Sequence, residues 1–65
     1  MIYDVGEFSG IVWRLLSERG ELTTATIKRE TKENDFMVGA ALGWLAREGK
    51  IELQKSGRSI KAALK

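Results

Sequence analysis

The sequence predicts an α+β domain that has three helices and a small antiparallel sheet. A change of periodicity indicates this class: apolar residues recur at helical spacing as far as residue 49, and they alternate with polar residues from residue 50 onward. Glycines and short polar clusters separate the segments, and there is no proline. Because 65 residues leave no room for a second core, we expect a single domain over residues 1–65.

The first helix is predicted from about Gly6 to Arg19. Gly20 follows it directly, and we expect this glycine to end the helix in the left-handed conformation. The helical spacing predicts one buried stripe, with Leu16 at its edge. This stripe consists of Phe8, Ile11, Val12 and Leu15.

The second helix is predicted to be short. Residues 21–22 form an extended link, after which Thr23 is suited to cap the helix. The threonines of its first turn are weak helix formers, so we expect packing of Ile27 to hold the helix in place. The helix is predicted to end near Thr31 or Lys32.

The third helix is predicted to begin after Asn34, a favourable capping residue, and to run to Glu48. Asp35 suits the positive end of the helix, and Gly49 is expected to stop it. Its predicted buried stripe is Val38, Ala41, Leu42 and Leu45.

Two strands are predicted after the third helix. Ile51 and Leu53 alternate with polar residues, and a second alternating run covers residues 59–64. Ser56-Gly57 is predicted as the turn between them, and Leu22 is placed to add a third strand. The predicted order is helix, short strand, helix, helix and hairpin, which is the architecture of a winged helix-turn-helix domain.

One segment carries a family resemblance. Residues 41–51 read Ala-Leu-Gly-Trp-Leu-Ala-Arg-Glu-Gly-Lys-Ile, a leucine-rich third helix that passes through a glycine into the wing. This segment, with Gly20-Glu21-Leu22-Thr23 upstream, resembles a small family of uncharacterised bacterial winged helix-turn-helix proteins of similar length. The resemblance covers nearly all of the chain and implies the fold, but it implies no particular activity.

The composition removes several classes of function. The chain has no cysteine and no histidine, so it lacks disulfides, thiol nucleophiles and the usual zinc ligands. No glycine-rich phosphate loop follows a strand, and no stretch is apolar enough to cross a membrane. The first seven residues do not resemble a signal peptide. We therefore expect a cytoplasmic protein that is not an enzyme and has no cofactor, metal or small-molecule ligand.

The charge distribution supports a first hypothesis, nucleic-acid binding. The net charge is +2, but residues 28–65 carry nine basic and five acidic side chains, whereas residues 1–27 carry two and four. Basic side chains on helix two and the wing suit phosphate contacts without base reading. An alternative is that these side chains only solvate the surface and protect the hairpin edge from aggregation. The predicted nucleic-acid contacts are Lys28, Arg29, Lys32, Arg47, Lys55, Arg58 and Lys61.

The outer face of helix three supports a second hypothesis, a protein-interaction module that is most simply a homodimer. Only Arg47 on this face is suited to a strong contact with a base or phosphate, so we expect weak or non-specific base reading. Aromatic residues and small residues share the rest of the face, as at protein interfaces. Trp13 either joins this surface or is covered by the wing or the N-terminal segment. The predicted interface residues are Phe36, Gly39, Ala40, Gly43 and Trp44.

Overall fold

The computed structural model describes residues 4–65, and the predicted order of elements is confirmed. Three helices are followed by a hairpin, and a short strand between the first two helices completes the sheet. Residues 1–3, on which part of the signal-peptide prediction rests, lie outside the described residues. The elements are α1 (Val5–Arg19), β1 (Leu22–Thr23), α2 (Thr24–Thr31), α3 (Asp35–Arg47), β2 (Ile51–Ser56) and β3 (Ser59–Leu64).

Helix α1 begins one residue earlier than predicted because Asp4 caps it. The Asp4 carboxylate accepts a hydrogen bond of 2.8 Å from the Glu7 backbone N–H, and the Glu7 side chain accepts one from the Asp4 N–H. The helix ends at Gly20, whose φ is +82° as a glycine stop requires. Its ψ of −151° is not left-handed helical, which corrects that detail of the prediction.

The predicted buried stripe of α1 is partly wrong. Ile11 is 43% exposed and Leu15 is only half-buried, whereas Ser9 is buried. Helix α3 packs on the side of α1 where Ser9 lies, which turns Ile11 towards solvent. Burial of Ser9 is tolerated because its hydroxyl donates a 2.7 Å hydrogen bond to the Val5 carbonyl. The buried residues of α1 are Phe8, Ser9, Val12 and Leu16.

Helix α2 has the predicted cap and the predicted anchor. The Thr23 hydroxyl accepts a 3.1 Å hydrogen bond from the Thr26 backbone N–H, and Ile27 is fully buried. The helix ends at Thr31, and its C-cap Lys32 adopts a left-handed conformation with φ of 59°. This conformation lets the chain turn at once into the cap of α3, and it is strained for a residue other than glycine.

Helix α3 is capped as predicted, since Asn34 Oδ1 accepts a 2.8 Å hydrogen bond from the Met37 backbone N–H. It ends at Arg47, one residue before the predicted end, with Glu48 as its C-cap. Gly49 then has φ of +74° and donates to the Ala46 carbonyl. The predicted stripe is confirmed, and Met37 joins it: the buried residues are Met37, Val38, Ala41, Leu42 and Leu45.

The sheet has the strand order β1-β3-β2, and all its pairings are antiparallel. Leu22 lies opposite Ala62, so the predicted third strand is confirmed. The hairpin turn contains Gly57 and Arg58, with φ of +61° at Gly57, as in a type II′ turn. Ser56 pairs with Ser59 instead of lying in the turn, which moves the predicted turn by one residue.

The core lies between the three helices and one face of the sheet. Ile51 and Ala62 close it from the sheet side, where alternate residues of β2 and β3 face the helices. Beyond the helices the hairpin is less covered, so Leu53 and Ile60 remain partly exposed on this same face. Within residues 4–65, no helix combines the length and the apolar character that crossing a bilayer requires.

Candidate nucleic-acid and protein interfaces

Helix α2 presents three basic side chains on its outer side. Ile27 packs into the core, and the helical spacing therefore directs Lys28 and Arg29 away from it. Lys32 follows at the end of the helix, four residues after Lys28. All three residues are exposed, and they form a basic strip on α2.

The wing approaches this strip. A groove of about 360 Å³ lies where α2, the first half of α3 and β3 meet, and its walls include Lys28, Gly39 and Ile60. Lys55 lies opposite Ile60 in the hairpin, on the face that carries the buried Ala62. Arg58 lies in the turn beyond them. We name the combined basic surface the cationic edge, and it consists of Lys28, Arg29, Lys32, Lys55 and Arg58.

Acidic neighbours neutralise part of the predicted set. Lys28 Nζ lies 3.1 Å from an Asp35 carboxylate oxygen, and Lys61 Nζ lies 3.9 Å from a Glu21 oxygen. Both pairs are exposed, so they are worth at most about 1 kcal/mol and a phosphate can compete for either lysine. Within residues 4–65, the other four members of the cationic edge have no ion pair.

Two predicted basic residues lie apart from the cationic edge. Lys61 alternates with Ala62 along β3 and therefore lies on the sheet face away from the helices, opposite Thr23 and Gln54. Arg47 lies at the end of α3, about 18 Å along the helix from Asp35. The structure thus brings Lys28 to the wing at Ile60, the partner of Lys55 in the hairpin, and places Lys61 and Arg47 elsewhere.

The outer face of α3 is as exposed as the sequence predicts. Phe36 is 77% exposed and Trp44 is 47% exposed. A Cβ atom added at Gly39 or Gly43 has no neighbour within 4 Å among the residues that the structure describes. We name this surface the α3 outer face, and it consists of Phe36, Gly39, Ala40, Gly43, Trp44 and Arg47.

The N-terminal end of α1 borders this face. A Cβ atom added at Gly6 lies 3.5 Å from the Trp44 indole ring, so the ring rests beside the first turn of α1. A groove of about 550 Å³ opens between Val5 and the second half of α3. Its lining is Val5, Ala40, Gly43, Trp44, Arg47 and Glu48.

A comparison with protein families assigns the fold. The model of the family described as winged helix-turn-helix domain (DUF2582) matches residues 1–64. The chain belongs to this family. Among curated proteins and among solved structures, no match was found. The winged-helix architecture of this DUF2582 domain is compatible with DNA binding, in which the third helix of such folds enters the major groove.

The third helix of this DUF2582 domain differs from a base-reading helix. Recognition of base edges uses Arg, Lys, Asn or Gln, and the α3 outer face offers only Arg47 at its far end. The first turn carries Asp35, whose charge opposes a phosphate approaching from that side. Trp13, 41% exposed on α1, lines a separate groove together with Trp44, so the wing does not cover it completely.

Sequence reasoning missed three residues of these surfaces. Val5 and Gly6 border the α3 outer face because α1 packs against α3 there, and no local pattern shows such a contact. Asp35 was interpreted only as a helix-end residue, although it also pairs with Lys28 of the preceding helix. One feature of the sequence indicates this ion pair: basic and acidic residues follow one another closely between positions 28 and 35.

Proposed function

We propose that this domain binds nucleic acid weakly through phosphate contacts from its cationic edge, and that α3 does not read base sequence. The observation that carries the proposal is the junction of α2 with the wing, which gathers basic side chains from two distant parts of the chain. Four of them, Arg29, Lys32, Lys55 and Arg58, have no competing ion pair among residues 4–65.

Phosphate contacts suit these side chains for a physical reason. Each phosphate contact requires a positive charge and sufficient reach, whereas base recognition requires fixed hydrogen-bond geometry. The exposed lysines and arginines of the cationic edge have long side chains that meet the first requirement. Arg58, in the two-residue turn of the wing, extends farthest from the core along the hairpin.

We propose also that the domain is not an enzyme. The chain contains no histidine and no cysteine, so the commonest general base and the commonest thiol nucleophile are both lacking. Among residues 4–65, no three acidic side chains lie close enough to one another to hold a metal ion. Transcription regulation in the cytoplasm is the cellular role that such a binding module would serve.

A second candidate function is protein interaction through the α3 outer face. The exposure of Phe36 favours it, since a phenyl ring left 77% exposed on a helix contributes nothing to the core. The two functions use different residues, although the two surfaces adjoin at Gly39, a wall of the groove between α2 and the wing.

The experiment is a measurement of duplex affinity by fluorescence anisotropy at low salt. The double variant Arg29→Glu/Arg58→Glu should lose at least about 100-fold in affinity, because two phosphate contacts become two repulsions. Lys65→Glu is the matched control: Lys65 is exposed at the end of the hairpin opposite its turn, in a groove with Trp13 and Gly49, and its reversal should change affinity only slightly.

Two duplexes of unrelated sequence complete the design. Equal affinity for both supports phosphate contacts without base reading. If Arg29→Glu/Arg58→Glu bound as tightly as the wild type, the cationic edge would not be the nucleic-acid surface. A strong preference for one duplex would contradict the proposal that α3 does not read base sequence.

A further inference from the structure

Three grooves follow one another where α1 meets the second half of α3 and the open end of the hairpin. The groove of about 550 Å³ beside Val5 shares Trp44 with a second groove of about 390 Å³. The second groove shares Trp13 and Lys50 with a third, of about 280 Å³, which reaches Lys65. Because neighbouring grooves have lining residues in common, they form one continuous cleft.

Basic side chains and aromatic rings are distributed along the whole cleft. Arg47 lines the first groove, Lys50 the second and third, and Lys65 the third. A tryptophan stands at each junction, Trp44 between the first two grooves and Trp13 between the last two. We name this cleft the tryptophan groove, and it consists of Trp13, Trp44, Arg47, Lys50 and Lys65. Two of its members, Trp44 and Arg47, also belong to the α3 outer face.

We propose that the tryptophan groove binds single-stranded nucleic acid, with a base stacked on each indole ring and the adjoining phosphates on the three basic side chains. Proteins that bind single strands combine a positively charged groove with aromatic rings on which successive bases stack. Trp13 is 41% exposed and Trp44 is 47% exposed, so each ring has surface free for a base. The ligand and the surface both differ from those of the cationic edge, and the proposal does not rest on duplex binding.

The floor between the two rings is open. It is formed by small residues of α1, namely Gly6, Ser9 and Gly10. A Cβ atom added at Gly6 lies 3.5 Å from the Trp44 ring, so the first turn of α1 supports that ring from one side. A Cβ atom added at Gly10 has no neighbour within 4 Å among residues 4–65. The packing of α1 therefore does not require a glycine at position 10, and a flat ligand has room beside it.

The charge of the groove suits a polyanion. Its lining carries three basic side chains, and Glu48 is the one acidic residue among the described residues that line it. Glu48 lies 3.6 Å from Lys50 Nζ, but both side chains are exposed, so a phosphate can compete for this lysine. Arg47 and Lys65 have no ion pair within residues 4–65. Asp4 lies near Trp44, and its carboxylate is engaged in capping α1.

Two other ligands fit the tryptophan groove less well. A proline-rich segment docks in aromatic-lined grooves, but proline residues carry no charge to match three cations. A duplex keeps its bases paired and stacked inside, out of reach of both rings. A single strand offers an accessible π-face and a phosphate at every nucleotide, which is the combination that this lining requires.

The experiment is a titration of the isotope-labelled full chain with a thymidine oligonucleotide of about eight nucleotides. The salt concentration is about 0.15 M, at which distant charges are screened. The chain has two tryptophans, so two indole N–H signals report on the groove. Both signals should shift with the same dissociation constant, and a random-sequence duplex should leave both in place.

Two results of this titration would overturn the proposal. One is that neither indole signal moves at an oligonucleotide concentration of about 1 mM. The other is that a proline-rich peptide moves both signals when the oligonucleotide does not, which would identify the groove as a peptide site.

Substitution of each ring tests the stacking. Trp13→Leu and Trp44→Leu keep an apolar side chain at a partly exposed position but remove the aromatic face. Each should weaken oligonucleotide binding at least about fivefold, measured on the indole signal that remains. Trp44→Phe keeps a ring and should weaken binding less than Trp44→Leu. Unchanged affinity of both leucine variants would contradict stacking.

Gly10→Leu tests the position of the ligand without altering either ring. A leucine side chain fills the open floor and should prevent the oligonucleotide from shifting the indole signals. Leucine is a better helix former than glycine, so the melting temperature should rise and the loss of binding cannot be attributed to unfolding. Gly39→Leu, at a helix glycine that also has open space around it, is the matched control and should bind as the wild type does. Full binding by Gly10→Leu would refute the site.

A pair of lysine substitutions separates this proposal from the proposed function. Lys65→Glu should weaken oligonucleotide binding at least about threefold and leave duplex affinity nearly unchanged. Lys55→Glu, the same substitution on the cationic edge, should weaken duplex binding and leave oligonucleotide binding nearly unchanged. If duplex binding is absent and Lys65→Glu still weakens oligonucleotide binding, the proposed function fails and the tryptophan groove stands. If Lys65→Glu and Lys55→Glu weaken oligonucleotide binding equally, the tryptophan groove is refuted.

Discussion

The dependence of duplex affinity on salt concentration follows from the number of basic side chains on the cationic edge that have no ion pair among residues 4–65. Each phosphate that the protein neutralises releases counterions, so the logarithm of affinity falls linearly with the logarithm of salt concentration. Arg29, Lys32, Lys55 and Arg58 have no ion pair within residues 4–65. Four phosphate contacts predict a slope of about −3.6. Affinity should then fall about 150-fold between about 50 mM and about 200 mM salt.

Lys28 sets the largest magnitude that this slope can reach. If a phosphate displaces Asp35 from Lys28, the cationic edge makes five contacts and the slope becomes about −4.5. Fluorescence anisotropy titrations at four or five salt concentrations measure the slope directly. The double variant Arg29→Glu/Arg58→Glu should reduce its magnitude to about 1.8 or less, and Lys65→Glu should leave it unchanged.

A slope near zero would refute this account, because binding would then not depend on phosphate contacts. A slope far steeper than about −4.5 would also contradict it. In that case Arg47 or Lys61, which lie apart from the cationic edge, must also reach the duplex.

Three substitutions test the local structure that holds the cationic edge in place. Asn34→Ala removes the cap hydrogen bond of 2.8 Å to the Met37 N–H and should lower the free energy of unfolding by about 1 kcal/mol. Lys32→Gly relieves the left-handed conformation and should raise it by about 0.5–1 kcal/mol, while it weakens duplex binding by removing one contact. Ile27→Val removes one methyl group from the anchor of α2 and should cost about 1 kcal/mol, a melting shift of about 4–8 °C.

Thermal and urea unfolding measure all three effects, and each has a control. Asn34→Ser keeps a capping oxygen and should retain most of the stability. Lys32→Asn tolerates the left-handed region and should also stabilise, so destabilisation by both Lys32 variants would contradict the strain argument. Ile60→Val, at a partly exposed position of the wing, should cost less than Ile27→Val. A larger cost at Ile60 would contradict its position at the edge of the core, where it is 37% exposed.

The order of the elements could be predicted because the local signals in this chain agree with one another. Thr23 and Asn34 are good caps, Gly49 and Gly57 stand where a positive φ is needed, and the periodicity changes after residue 49. The exact face of α1 could not be predicted. Ile11 and Ser9 are both close to the apolar stripe, and only the position of α3 decides which of them is buried.

The exposure of the α3 outer face could be predicted from the sequence, but the grouping of the basic residues could not. The exposure of Phe36, Gly39 and Gly43 follows from helix geometry once the opposite stripe is assigned to the core. The grouping of the basic residues does not follow from the sequence, because it depends on how the wing crosses α2. Lys61 is predicted as a nucleic-acid contact together with Lys55 and Arg58, but its position in β3 turns it to the other face of the sheet.

The most direct test of the central claim is a titration of isotope-labelled protein with a random-sequence DNA duplex at low salt, followed through backbone amide shifts. Shifts should be concentrated at residues 28–32 and 55–58, reversed by added salt, with little change at residues 40–44. Shifts concentrated at residues 40–44 would mean that α3 enters the major groove of the duplex, contrary to the role given to it. The absence of shifts at low salt would contradict nucleic-acid binding altogether.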